Sequence, residues 1–202
     1  MKVLVTCGPT WVAIDDVRVI SNRSTGQMGH LIAEEFNKKN TRVTLLQGPV
    51  TDRAQLKDIK IIKYAYFHEL ARKLKEECLK NYDIIVHAAA VSDYTVKNRF
   101  NGKISSETAL SLNLGPTPKL INLIRDWAPN SFIVGFKLEP NLTIKKFKGM
   151  TRKLFLDAQC DLVVVNQDKP VYKGYILNAD LDIISRSTHK QDIAKILVRI
   201  LL

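Results

Sequence analysis

The chain has 202 residues, 46% of them hydrophobic, and a formal net charge of +11 at pH 7. This length suits one well-packed core and is short for two, so we expect a single domain over residues 1–202. The three widely spaced cysteines include no Cys-x-x-Cys pair, which argues against a disulfide framework and a zinc site. The sequence has no apolar run of about 18 residues and no signal-peptide pattern, which predicts a cytoplasmic protein without a membrane span.

The predicted elements alternate between short apolar strands and helices with one apolar face. The alternation predicts an α/β fold with a mainly parallel sheet covered by helices on both faces. Residues 172–177 and 181–185 flank a turn, which predicts a C-terminal antiparallel hairpin before a closing helix from about His189. The other predicted strands are 2–6, 43–46, 83–87, 132–136 and 161–166, and the other predicted helices are 27–36, 67–80, 118–127 and 144–158.

Residues 21–29, Ser-Asn-Arg-Ser-Thr-Gly-Gln-Met-Gly, lie between the first predicted strand and the first helix. In parallel α/β proteins ligands bind beyond the carboxyl ends of strands, and a helix N-terminus there attracts phosphate. Gly26 and Gly29 allow the backbone to approach a ligand closely, and Asn22 and Ser24 offer neutral hydrogen-bond donors. The alternative is an ordinary polar loop with a Ser or Thr N-cap.

Three common site patterns are missing from this region. The chain contains neither Gly-x-Gly-x-x-Gly nor a P-loop, and the connection over residues 7–25 is far longer than a usual βα turn. These observations disfavour a routine dinucleotide or P-loop site. The residues around Ser24 also lack the first glycine of Gly-x-Ser-x-Gly, so the sequence does not indicate an acyl-serine enzyme.

A second informative segment, residues 88–94, follows the predicted strand 83–87 with the sequence Ala-Ala-Ala-Val-Ser-Asp-Tyr. Its small residues allow a flat ligand to lie close, and Asp93 is able to accept hydrogen bonds or to hold a hard cation. The alternative for Asp93 is a turn or helix N-cap aspartate. Residues 97–106, which show no clear period, are either a flexible flap carrying Lys103 or an ordinary surface loop.

The basic residues are dispersed along the chain. The densest run, residues 145–148 with Arg152 and Lys153, is more typical of a solvated helix face than of a docking surface. Nucleic-acid binding usually concentrates Lys and Arg on one helix or interleaves them with aromatic residues. We therefore expect small anionic ligands and no nucleic-acid partner.

Taken together, these segments resemble phosphopantothenoylcysteine synthetase, the ligase half of the coenzyme A biosynthesis flavoprotein family. The resemblance covers nearly the whole chain, and the ordered set of motifs is highly specific although each motif alone is weak. The motifs are Gly8-Pro9-Thr10, residues 20–29, residues 89–94, Gly102-Lys103-Ile104, Leu112-x-Leu114 with Thr117-Pro118-Lys119, Val134-Gly135-Phe136 and residues 161–166.

The resemblance implies a dimeric, Rossmann-like, Mg²⁺-dependent enzyme that joins 4′-phosphopantothenate to cysteine. In bacterial members CTP activates the carboxylate to an acyl-cytidylate with release of pyrophosphate, and the cysteine amine then displaces CMP. Eukaryotic relatives use ATP, so we expect CTP as co-substrate with ATP as the alternative. Many bacterial relatives carry a flavin-dependent decarboxylase ahead of this unit, and nothing precedes the first strand here. We therefore expect no flavin and a separate decarboxylase.

The resemblance also implies roles for individual residues. Asn22 is expected to contact the acyl intermediate, Lys103 to cover the triphosphate from the flap, and Asp93 to bind the nucleotide and its Mg²⁺. Members commonly carry two lysines in the helix before the strand at 161–166. Lys153 matches the first, whereas Ala158 stands in the later region. The further expected nucleotide-binding residues are Gly8, Ser24, Gly26, Gly29, Ala89, Phe136 and Lys153.

The expected homodimer rests on the family's habit of completing sites across a two-fold interface and on strand 172–177, which we expect to be an exposed edge. A short-chain reductase is disfavoured because no tyrosine has a lysine four residues later. The main alternative from another class is a non-catalytic nucleotide-binding or nucleic-acid-binding module with the same fold.

Overall fold

The structure, a computed structural model, describes residues 1–50, 56–107, 109–140 and 142–202, with the backbone alone for residues 144–148. The predicted strands and helices are present with small shifts at their ends. In chain order the elements are β1 (Lys2–Cys7), β2 (Trp11–Ala13), β3 (Val19–Ser21), α1 (Gln27–Asn37), β4 (Arg42–Gln47), β5 (Lys60–Lys63), α2 (Phe67–Cys78), β6 (Ile84–His87), β7 (Tyr94–Val96), β8 (Leu114–Pro116), α3 (Leu120–Trp127), β9 (Phe132–Leu138), α4 (Ile144–Leu156), β10 (Leu162–Gln167), β11 (Lys173–Leu177), β12 (Ile183–Ser187) and α5 (Lys190–Leu201).

Within the described residues, eight strands form the main sheet in the order β12-β11-β10-β9-β6-β1-β4-β5. The strands from β10 to β5 are parallel, and β11 and β12 are antiparallel to their neighbours. The predicted α/β fold with a C-terminal hairpin is confirmed. The prediction that strand 172–177 forms the exposed edge is wrong, because β11 pairs with β10 on one side and β12 on the other, which leaves β12 at the edge.

Helices cover both faces of the sheet, which explains why its central strands are apolar throughout. Along β1, Val5 belongs to a core cluster with Phe36 of α1 and Leu197 of α5, whereas the adjacent Leu4 belongs to a second cluster with Leu70 of α2. All five side chains are fully buried, and each contributes roughly 1.5–3 kcal/mol on burial. The loops at the carboxyl edge of the sheet therefore extend from a well-packed core.

Two small antiparallel sheets were not predicted. β2 pairs with β3 and β7 pairs with β8, and β2 contacts β7. The first pair lies inside the connection 7–25 that the sequence indicated only as a long loop. Strands of three residues are too short to show the alternation that identifies a strand.

The helices of the described chain are short. They contain between 8 and 13 residues, whereas a membrane-spanning helix needs about 20. No helix in the described ranges combines the length and the apolar character needed to cross a bilayer.

Candidate functional site

A cleft of about 610 Å³ opens above the carboxyl ends of β6, β9 and β10. The chain fills the sheet outward from β1 through β4 and β5, and then returns to the other side of β1 to continue with β6, β9 and β10. The cleft thus lies beside a topological switch point, where open parallel sheets bind ligands. Its lining comprises residues 22–29, 87–93, 117–121 and 136–138 together with Leu154, Asn166, Asp168 and Lys190.

The glycines of the 22–29 loop bring α1 close to the sheet. A Cβ on Gly29 would stand 2.4 Å from Cβ of Cys7, and one on Gly26 would stand 2.8 Å from Cγ1 of Val50. Gly26 also has a φ of 74° at the N-cap of α1, a conformation that glycine adopts most easily. The sequence analysis explained these glycines by the close approach of a ligand. In the structure, the space that a Cβ atom would need at each position is occupied by other residues of the protein. Gly8 is likewise buried beneath this contact and lies outside the cleft lining.

The N-terminus of α1 faces the cleft without a capping side chain. The helix has no side-chain cap and no acidic residue in its first turn. The hydroxyl oxygens of Ser24 and Thr25 accept long hydrogen bonds of 3.4 and 3.3 Å from the N–H groups of Gly26 and Gln27. Because first-turn N–H groups lack partners within a helix and carry its positive dipole end, this terminus favours an anion.

Asn22 connects the two loops that the sequence indicated. Its Nδ2 donates to the carbonyl oxygens of Ala90 and Val91 at 3.2 and 3.1 Å. A primary amide has two N–H donors, so both are engaged in this structure. Donation to a substrate oxygen therefore requires Asn22 to exchange one of these bonds.

Asp93 carries an exposed carboxylate at the rim of the cleft. Lys119 Nζ donates to its Oδ1, and both side chains are largely exposed. The N-cap of α3 is Lys119 rather than Asp93, so this carboxylate does not cap that helix. In the described ranges no three His, Cys, Asp or Glu side chains meet to form a metal site. A cation at Asp93 would take its other ligands from phosphate and water, as Mg²⁺ commonly does.

His87 forms part of the cleft floor. Its Nδ1 lies 3.0 Å from Thr6 Oγ1, which accepts the N–H of Ala89 at 3.1 Å. The Thr6 hydroxyl has one donor and two acceptor sites, so it serves both the Ala89 N–H and the His87 ring. Burial lowers the pKa of His87 to about 4, so the ring is neutral at physiological pH.

The flap is fastened to the β2–β3 connection through a buried carboxylate. Asp15 accepts bonds from the N–H groups of Val17, Arg18 and Ile104 at 2.8, 2.6 and 3.1 Å and from Arg18 Nη1 at 2.5 Å. Burial opposes ionisation, but these donors outweigh it and hold the pKa of Asp15 well below its usual range. Lys103 itself is exposed and is absent from the cleft lining.

The other expected positions divide between cleft and surface. Ala89 and Phe136 line the cleft, whereas Lys153 is exposed on α4 and its neighbour Leu154 lines the cleft instead. Ala158, at the position of the second family lysine, is 1% exposed and belongs to a core cluster.

Sequence reasoning assigned no role to several polar residues of the cleft. Asp168 and Lys190 form an ion pair inside it, and Lys119 pairs with Asp93. Asp168 follows a buried strand closely, a pattern typical of a site at the carboxyl edge of a sheet. Lys190 carries no such signal, because it begins a helix that is distant along the chain.

Comparison with known proteins agrees with this architecture. The family model for the DNA/pantothenate metabolism flavoprotein C-terminal domain matches residues 1–198. The chain belongs to this family. The resemblance drawn from the motifs is thereby confirmed.

Curated relatives of the family are longer proteins. The chain is 39% identical over 166 residues to the coenzyme A biosynthesis bifunctional protein CoaBC of Thermococcus kodakarensis, covering 82% of this chain and 41% of that protein. It is 35% identical over 173 residues to the protein of the same name from Methanocaldococcus jannaschii, covering 86% of this chain and 42% of that protein. The chain thus spans less than half the length of these relatives.

Solved structures show the same fold. The DNA/pantothenate metabolism flavoprotein from Streptococcus pneumoniae has a TM-score of 0.88 and 27% identity, with 100% of this chain and 98% of that chain covered. A Cab2 mutant in complex with phosphopantothenate-cysteine has a TM-score of 0.78 and 18% identity, covering 99% of this chain and 84% of that chain.

Proposed function

We propose that this chain is a phosphopantothenate–cysteine ligase that works through an acyl-nucleotidylate intermediate. The observation that carries the proposal is the meeting of the α1 N-terminus, Asn22 and Asp93 around one cleft. Family membership supports it, as do relatives named for coenzyme A biosynthesis. The fold is also that of a Cab2 mutant whose complex contains phosphopantothenate-cysteine.

In the first half-reaction, the carboxylate of 4′-phosphopantothenate attacks the α-phosphorus of the nucleotide, and pyrophosphate leaves. Two anions must be brought together, which the uncapped N-terminus of α1 favours. We assign Ser24, Gly26 and Gly29 to the phosphates, Phe136 to the nucleotide pocket and Asp93 to Mg²⁺. An exposed carboxylate at the rim of the cleft fits a cation that arrives with the nucleotide and neutralises phosphate charge.

In the second half-reaction, the amine of cysteine attacks the acyl carbon, loses a proton and displaces the nucleoside monophosphate. Negative charge develops on the acyl oxygen, and an amide donor stabilises it without titrating near neutral pH. We assign this donor to Asn22, which would release the carbonyl of Ala90 or Val91 to provide it. No side-chain nucleophile is required. Burial raises the pKa of the nearby Cys7 thiol to about 12, so Cys7 stays protonated.

We propose CTP as the co-substrate, because the motif set is of the bacterial type. Lys103 is assigned to the triphosphate and Lys153 to the nucleotide, although each lies outside the cleft lining in this structure. The second family lysine of this helix is replaced by Ala158, which is buried in the core, so base selection must rest on other contacts.

We further propose a homodimer formed through the two small sheets. Apolar side chains on these sheets are exposed, including Ile20 at 37%, Tyr94 at 57% and Leu114 at 41%. Such patches commonly mark interfaces. Sedimentation velocity tests this surface: Ile20→Glu should give monomers, whereas Ile184→Glu on the edge strand β12 should remain dimeric. A monomeric wild-type protein, or the reverse pattern, would exclude this interface.

The decisive experiment measures pyrophosphate release from phosphopantothenate with CTP and with ATP, each in the presence and absence of cysteine. The ligase requires phosphopantothenate-dependent release and formation of phosphopantothenoylcysteine when cysteine is added. A non-catalytic module would bind nucleotide without release. A nucleic-acid-binding module would instead bind oligonucleotides with a steep dependence on salt concentration.

A further inference from the structure

A lysine from the C-terminal helix reaches into the cleft. Lys190, the first residue of α5, places its Nζ 2.6 Å from Asp168 Oδ1 and 3.3 Å from Gln27 Oε1. All three residues line the cleft. None of the sequence motifs includes Lys190.

The position of this ammonium group is electrostatically unusual. Gln27 is the first residue of α1, so Lys190 adds a positive charge beside the positive end of the helix dipole. A cation at that end of a helix is unfavourable by itself. Asp168 offsets the repulsion as the counter-charge, and its side chain is 50% exposed. The ammonium group of Lys190 and the positive end of α1 thus lie together beside the Asp168 carboxylate. An anion with several charges that replaced this carboxylate would interact with both positive groups.

Lys190 is also held in place before any ligand binds. Its Nζ lies 5.7 Å from the ring centroid of Tyr172, a buried side chain, at a distance where cation–π attraction operates. The helix that carries it is anchored by Ile193 and Leu197, both fully buried. A lysine that is already ordered loses less side-chain entropy when it binds a phosphate.

We propose that Lys190 binds the β- and γ-phosphates of the nucleotide, the part that leaves as pyrophosphate, and that Asp168 is the internal anion this polyphosphate replaces. Asn22 is assigned to the acyl end of the reaction, whereas Lys190 contacts Gln27, farther along the same loop. Lys190 therefore lies where phosphates remote from the acyl carbon would sit. The inference rests on the proposed function, because that reaction supplies the leaving pyrophosphate.

Binding of inorganic pyrophosphate and of CMP, measured by calorimetry, tests the assignment. Lys190→Gln should weaken pyrophosphate binding about 10- to 100-fold, as expected for loss of a charge-assisted hydrogen bond. CMP, which lacks the β- and γ-phosphates, should bind Lys190→Gln and wild type alike. The matched control is Lys195→Gln on the same helix, an exposed lysine outside the cleft lining, which removes equal charge and should change binding by less than about twofold.

Asp168→Asn separates this role from a purely structural ion pair. If the carboxylate competes with the ligand, Asp168→Asn strengthens pyrophosphate binding in Mg²⁺-free buffer, opposite to Lys190→Gln. Weaker binding in both variants would identify a structural pair and overturn the proposal. So would equal losses of CMP and pyrophosphate affinity in Lys190→Gln, or a wild-type protein that does not bind pyrophosphate. The readout needs no turnover, so a wild type that binds pyrophosphate but shows no ligation would refute the proposed function alone.

Discussion

The loop over residues 22–29 and the flap over residues 97–106 differ in what their polar groups contact. In the flap, the N–H groups of Gly102 and Ile104 donate to the carboxylates of Asp16 and Asp15 at 2.9 and 3.1 Å. In the first loop, the chain enters α1 without a side-chain cap and lines the cleft. A loop whose backbone groups are paired within the protein is an anchored element, whereas uncapped donors at a helix N-terminus are available to a ligand.

The largest expected effect lies in the first loop, at Asn22. Asn22→Asp should still release pyrophosphate but should stall before product forms, because a carboxylate repels the developing oxyanion. Loss of one such donor lowers the rate by about 100- to 1,000-fold, or roughly 3–4 kcal/mol. A single-turnover reaction with labelled phosphopantothenate, quenched and resolved for acyl-nucleotide and product, measures the step directly.

The same substitution in the flap provides the control. Asn101 is exposed, and Asn101→Asp should leave both half-reactions at wild-type rates. Because Asn22 also joins two loops through Ala90 and Val91, thermal unfolding of both variants must accompany the kinetics. An Asn22→Asp enzyme that consumes the intermediate as fast as wild type would remove the oxyanion role.

As pH falls, protonation should destabilise the structure at His87 on the cleft floor before it breaks the contact of Asp15 with the flap. Burial depresses the pKa of His87 to about 4 from 6.5, so the unfolded chain takes up the proton first as pH falls. The contribution of neutral His87 to the free energy of unfolding is therefore fully present above pH 6.5. It is lost progressively toward pH 4, by about 3 kcal/mol at 1.36 kcal/mol per pH unit. Chemical denaturation at a series of pH values gives the free energy of unfolding.

His87→Gln, which retains an acceptor for the Thr6 hydroxyl, should lack this component of the pH dependence. His68→Gln replaces an exposed histidine and should keep it. If wild type and His87→Gln showed identical slopes between pH 6.5 and 4, the buried neutral histidine would be the wrong explanation.

Lys103 tests whether the anchored flap still contributes to the site. Lys103→Gln should weaken nucleotide use by about 1.5–3 kcal/mol, as for loss of a charged contact to phosphate, while thermal unfolding stays unchanged because the side chain is exposed. Initial rates over a range of CTP concentrations measure the effect, with Lys195→Gln as the charge-matched control. Wild-type nucleotide affinity and turnover in Lys103→Gln would restrict the flap to a structural role.

The smallest expected effect is local and concerns Asp15. Asp15→Asn removes the ionised acceptor of the Ile104 N–H, so this amide should exchange its hydrogen about tenfold faster. In wild type the pKa of Asp15 is depressed, so the attachment persists through the usual aspartate range near pH 4 and is lost only as pH falls through the lower folded value. Hydrogen exchange followed by mass spectrometry reads the segment directly, and unchanged exchange in Asp15→Asn would show that other contacts hold the flap.

Most of the fold was predictable because its strands and helices are long enough to show periodicity. Strands such as β1 and β10 are continuous apolar runs, and α1 shows an apolar face. The position of β12 at the sheet edge was not predictable, since a hairpin does not reveal which of its strands pairs with the rest of the sheet. The β2–β3 pair was missed because each strand has three residues.

The site was predictable only where its residues adjoin strand ends or match family motifs. Asn22, Asp93 and Phe136 were found in this way, and the structure places all three around one cleft. Lys190 was missed because its placement depends on how α5 packs, which no local pattern records. The glycines of the first loop were correctly singled out, but the reason was only partly right, because contact with Cys7 and Val50 requires them.

The contact between Gly29 and Cys7 fixes one wall of the cleft. No atom could be added at Gly29 without displacing β1, so α1 rests directly on the sheet and has no space in which to retreat. The N-terminus of α1 is therefore held against the sheet, in position before any ligand binds.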